Sequence, residues 1–173
     1  VLLESNKVAL PQGPFTVECW FNARKFANRV GLLGKTEQSE YGIFASRGQL
    51  DASVFLAGSY RNVRPDLKLK TNQWYHVAMV YEGQSLALYV DGKLQGRQPT
   101  KLSMKRKENW LPFIVGADPD IRGRANSFFN GEIDEIRISK GARYEKPFET
   151  RRRLTSDKNT VIFLDCDQSL GPF

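Results

Sequence analysis

The chain has 173 residues, of which 40% are hydrophobic, 12% aromatic and 26% charged. That length suffices for one ordinary domain with a self-sufficient core. The composition excludes disorder, collagen and coiled coil, and no apolar run approaches the roughly 18 residues of a membrane helix. Lys and Arg number 26 against 19 Asp and Glu, a formal charge of +7; this permits a polyanionic partner but bears on solubility and encounter rate rather than on fold.

The opening Val1–Glu4 has no Met, basic n-region or cleavage site, so the chain is expected to be one domain over 1–173, excised from a larger protein. Periodicity then reads as strand almost throughout. Phe15–Phe21 (FTVECWF) alternates, with Phe15, Val17, Cys19 and Phe21 on one face and Thr16, Glu18 and Trp20 on the other. Short β-type runs follow at 30–36, 41–45 and 49–55, broken by Gly, Ser and Asn. Trp74–Tyr81 is bulky on both faces, which predicts a central strand covered on both sides. Asp91-Gly92 after Leu86–Val90 is the strongest hairpin signal, and Lys93–Gly96 continues the meander. Later runs lie at 111–115, 128–139 and 161–166. A short helical piece is expected at Lys146–Leu154, limited by Pro147. Residues 97–110 and 141–159 are polar, basic connections. Many short strands without βαβ alternation give an all-β chain, a two-sheet antiparallel sandwich.

Three segments carry a resemblance. Phe15–Phe21 is similar to an "FTVEAW" opening strand. Asn72–Tyr81 running into Leu88–Lys93 is similar to a "W-x-H-V-A…L-Y-V-D-G" hairpin, and Phe129–Ser139 to "F-x-G-x-I-D-E-V-R-I". In this order they resemble the laminin-G-like domains of the concanavalin A-like lectin/glucanase superfamily, and Val161–Asp165 resembles that fold's last strand. The resemblance implies a jelly-roll sandwich with its terminal strands paired. It also implies a non-catalytic module of an extracellular, periplasmic or cell-surface protein, binding a polysaccharide or a glycoprotein glycan. Other domains of the parent are possible partners, and neither nucleic acid nor a membrane span is implied. A protein-interaction or architectural module without sugar affinity is the alternative reading, ahead of a glycoside hydrolase.

Individual residues are weighed within that frame. Glucanase relatives carry E-x-D-x-x-E on one strand; here Glu132 and Asp134 are followed by Arg137 in the sixth position, so the acid/base partner is missing and the chain is expected not to be an enzyme. A β-bulge near Asp134–Glu135 would let Ile133, Ile136 and Ile138 all face the core and would leave Asp134 to backbone N–H groups or to a cation. Calcium, held near the sandwich edge in many relatives, is the one cofactor expected, with Asp134, Asp165 and Asp167 as candidate ligands and Asp118 and Asp120 in a loop as further carboxylates. Gly31–Thr36 imitates a phosphate loop but has Arg29 where Gly is required. His76 is expected to be a packing residue. Cys19 and Cys166 fall on core-facing parities, where two thiols and a disulfide are both open, with thiols favoured. For the glycan, Tyr60, Arg61 and Arg64 in one loop, Trp110 beyond Lys105–Lys107, and Arg122 with Arg124 are expected to form an aromatic and basic rim. There sugar C–H faces would stack on rings, and guanidinium forks would hold carboxylate or sulfate. Arg151–Arg153 is expected to be a surface connection.

Overall fold

In the computed structural model, which describes residues 1–4, 8 and 10–167, alternating apolar residues form two antiparallel six-stranded sheets packed face to face. The strands are β1 (Leu2–Leu3), β2 (Phe15–Lys25), β3 (Val30–Gly34), β4 (Tyr41–Ser46), β5 (Gln49–Leu56), β6 (Ser59–Val63), β7 (Trp74–Tyr81) and β8 (Ser85–Val90). They continue with β9 (Lys93–Pro99), β10 (Phe113–Val115), β11 (Asp118–Pro119), β12 (Ala125–Asn126), β13 (Asn130–Lys140) and β14 (Thr160–Leu164). One sheet, the front sheet, has the order β1-β10-β3-β4-β5-β6; the back sheet has the order β14-β13-β2-β7-β8-β9; β11 and β12 pair as a separate hairpin. This is the concanavalin A-like jelly roll that the sequence predicts, except that its terminal strands lie in different sheets, β1 beside β10 and β14 beside β13.

The period-2 pattern fills the space between the sheets. Phe15, Val17, Cys19 and Phe21 of β2 meet Tyr41, Ile43 and Ala45 of β4 and Ala52, Val54 and Leu56 of β5 in one core cluster. Each fully buried side chain of Leu or Phe size contributes roughly 1.5–3 kcal/mol, which makes this layer the main source of stability. The expected bulge is present: the β13–β2 register shifts between Asp134 and Arg137, Glu135 adopts φ 52°, Ile136 and Ile138 are buried, and Ile133 packs against the same cluster.

Two outer faces remain, and they differ. The back face is covered. Residues 141–157 cross it as an irregular strap rather than the expected helix, because Pro147 and side-chain bonding replace an intrahelical ladder. Tyr144 and Phe148 stack at 3.5 Å over Ala78, Val80, Ala87 and Tyr89. Beneath the strap, Glu18 accepts bonds from Arg137 and Tyr144, at 2.8 and 2.9 Å, and lies 3.2 Å from His76 Nε2. His76 is thus buried, packed between Trp20 and Phe148, and β7 is covered on both faces. The front face is covered at β3, where the β11–β12 hairpin sits so close that a methyl on Gly31 would lie 2.3 Å from Ala117 backbone atoms. Over β4, β5 and β6 it holds a groove whose floor residues Phe44 and Ser53 are buried.

Candidate functional site

On that face the outward parity of three strands supplies the floor of the groove. Phe44 of β4, Asp51 and Ser53 of β5, and Tyr60 and Asn62 of β6 share this side, because Ser53 pairs with Asn62 and Phe55 with Tyr60 across the ladder. Arg64, just past β6, closes one wall, and Arg29 closes the other. The groove has two halves, of about 430 and 300 Å³, which share Arg29, Phe44, Asp51 and Arg64. Both volumes lie within the range of small-molecule sites.

The central polar side chains are held. Asp51 accepts from Asn62 Nδ2 through one oxygen and from Arg64 Nε through the other, both at 2.8 Å. The Arg29 guanidinium lies 4.1 Å above the Phe44 ring and pairs with Asp118, whose other oxygen accepts from Thr36 at 2.9 Å. Tyr60 packs edge-on against Phe55, and its hydroxyl accepts from the backbone N–H of Gln38 at 2.8 Å. That wall is strained: Glu37, Gln38 and Glu40 have φ of 113°, 49° and 47°, a cluster of left-handed non-glycine residues of the kind found at binding sites. Burial, together with Asp118 and Asp120, pushes the Glu37 carboxyl above the ordinary range against the pull of Arg29.

The sequence-predicted residues divide around this groove. Tyr60 lines it, but on a strand rather than in a loop, so that Arg61 falls on the opposite parity, across from core residue Val54. Arg64, from the same expected loop, is a wall. Trp110, 72% exposed, lies elsewhere. Its neighbours Leu111 and Pro112 pack on the turn that carries Arg122 and Arg124, since a methyl on Gly123 would lie 2.9 Å from Pro112 Cδ. Asp120 holds that turn by accepting from the N–H groups of Arg122 and Arg124. One rim therefore becomes two places. Phe44, Asp51 and Asn62 are not marked out by the sequence, and Arg29 is marked only as the residue that breaks a phosphate-loop pattern; the one trace is the polar alternation Gln49, Asp51, Ser53, which any solvent-facing strand shows.

The carboxylates proposed for calcium do not form a ligand set. Asp134 accepts from the Glu135 N–H through one oxygen and pairs with Arg152 through the other, both at 2.8 Å, and Asp167 pairs with Arg153. Asp165 is half-buried beyond β14. Calcium needs six to eight oxygens, and among the described residues no three His, Cys, Asp or Glu side chains come together to hold a metal. Asp118 and Asp120 are likewise engaged, by Arg29 and by the 120–124 turn. Glu132 pairs with Arg24 at 2.7 Å. Cys19 is a buried free thiol, whereas Cys166 lies past the end of β14, exposed and free, contrary to its expected core position. Gly31–Thr36 leads into no helix, and Lys35 is buried with its ammonium 2.8 Å from Asn109 O.

The fold matches that of known proteins. A candidate carbohydrate-binding protein of Bacteroides ovatus superposes with a TM-score of 0.73 at 21% identity, over 91% of this chain and 46% of that one. The chain therefore spans about half that protein's length. A heptameric SAP-like pentraxin from Limulus polyphemus gives a TM-score of 0.57 at 20% identity, over 77% and 67% of the two chains. Domain 4 of an extracellular arabinanase from Geobacillus stearothermophilus, in complex with arabinotriose, gives 0.56 at 20%, over 77% and 63%. No curated protein matches. The laminin-G-type family model of the concanavalin A-like lectin/glucanases superfamily matches residues 1–146, and to that superfamily the chain belongs.

Proposed function

We propose that the chain is a non-catalytic carbohydrate-binding module of an extracytoplasmic multidomain protein. The observation that carries this reading is the open groove on the front sheet. There Asp51, Asn62, Arg64 and Arg29 present fixed donors and acceptors beside the Tyr60 ring, the combination that orients sugar hydroxyls and covers their C–H faces. The bound arabinotriose of the arabinanase domain and the description of the Bacteroides ovatus protein agree with it. Catalysis is disfavoured because Glu132 and Asp134 are tied to Arg24 and Arg152, while Arg137, in the position of the missing acid, is bonded to Glu18.

An anionic polysaccharide would use the separate surface of Trp110, Arg122 and Arg124, all exposed. A protein-interaction role is favoured by other exposed apolar side chains, Ile121 and Phe128, at 75% and 67%. A glycan array at low and moderate salt, with and without calcium, separates these readings. Hits abolished by Tyr60→Ala assign the groove. Salt-sensitive hits abolished by Trp110→Ala assign the second surface, and a dependence on calcium would revive a cation site. A blank array under every condition leaves the protein-interaction reading.

A further inference from the structure

The charge arrangement of the groove narrows its ligand, given the carbohydrate reading on which this step rests. An anion is held by cations with unneutralised charge, above all by guanidinium forks. Both forks here face a carboxylate already: Arg29 is paired with Asp118, and Arg64 with Asp51 at 2.8 Å. Among the described residues no further cation lines either half, while Glu37 stands at one end and Asp66 at the other. An incoming carboxylate or sulfate would meet two neutralised guanidiniums and two further carboxylates. A hydroxyl group, by contrast, both donates and accepts. It can give to the remaining lone pairs of Asp51 and take from the outward N–H groups of Arg29 and Arg64, whose side chains are 53% and 69% exposed.

Length follows from shape. The two halves adjoin along the residues they share, Arg29 over Phe44 and Arg64 paired with Asp51. Each half is of the size that holds a small ligand, so one ring in each sets the linkage beside the residues they share, Arg29 and Arg64 among them. We infer that the groove binds an uncharged oligosaccharide of at least two sugar residues, with the Arg29–Asp118 and Arg64–Asp51 pairs acting as hydrogen-bonding units and not as anion traps.

The test is titration calorimetry on the full chain with arabino-, xylo-, manno- and cello-oligosaccharides of increasing length, and with galacturonate oligomers. Each is run at about 0.01 M and about 1 M salt, where the Debye length is roughly 30 and 3 Å. The expected result is a neutral di- or trisaccharide bound at least about tenfold more tightly than its monosaccharide, with an affinity nearly indifferent to salt. Asp51→Asn should weaken that ligand about tenfold and create a salt-sensitive affinity for galacturonate, because Arg64 loses its counter-charge. Arg64→Gln, which removes a cation and leaves the Asp51 carboxylate without its counter-charge, should weaken the neutral sugar without creating anion binding. Salt-sensitive galacturonate binding by the unaltered chain that Arg64→Gln abolishes and Trp110→Ala does not, or neutral binding independent of length, overturns the inference and leaves the carbohydrate reading standing. Silence toward every sugar overturns both.

Discussion

Glu18 sits on the outward side of β2, where a solvated charge is the ordinary expectation, yet the strap buries it completely. Burial alone would raise its carboxyl; the His76 bond and the Arg137 charge outweigh that and hold it below the ordinary carboxylate value of 4.5. A carboxyl depressed by folding contributes stability that is present above its unfolded value and is lost as pH falls through its folded one. Stability should therefore decline in acid, below about pH 4.5. Glu18→Gln should cost roughly 3–5 kcal/mol at neutral pH, because it strands the buried Arg137 guanidinium. Urea melts of both proteins at pH 7 and in acid measure this: the gap between them should narrow in acid, where Glu18 itself becomes neutral. A gap that does not change with pH would mean that packing, not charge, is lost.

The strap is the element that distinguishes the two faces, and its anchor is the β8–β9 turn. Gly92 has φ 72°, its carbonyl accepts from the Phe148 N–H at 2.9 Å, and an added methyl would lie 1.8 Å from Phe148 O. No L side chain fits there. Gly92→Ala should destabilise the protein by more than about 1 kcal/mol. In hydrogen exchange, protection should fall first at residues 141–157 and only later in β2 and β7, since stability is lost in cooperative units. Uniform loss across both sheets would show that the strap and the sandwich open together.

At the scale of the molecule, the sandwich was legible because period-2 alternation and the Asp91-Gly92 turn are local signals that burial reinforces. The β13 bulge was legible too, from the parity conflict between Ile133 and Ile136. The strap was not: Tyr144 and Phe148 have no period, and what orders them is a distant sheet face. The groove was half legible for a similar reason. Tyr60 and Arg64 drew notice as an aromatic and a cation, whereas Arg29 and Asp118 meet only through the hairpin that folds over β3, 89 residues apart in sequence. Treating Tyr60 and Arg61 as loop residues hid the parity that separates them.

The two cysteines turn this architecture into an instrument. Cys19 lies in the core, where burial and the nearby Glu18 raise its thiol far above the ordinary value, while Cys166 is exposed. Reactivity belongs to the thiolate, so a disulfide reagent should modify one thiol in native buffer and two in denaturant; two in native buffer would contradict the burial of Cys19. The slow reaction of Cys19 then reports how often the sheets part. Any ligand that prefers the closed form must retard it. The chain thus carries its own clock, and a sugar could be found by how far it slows the ticking, before anyone knows where it sits.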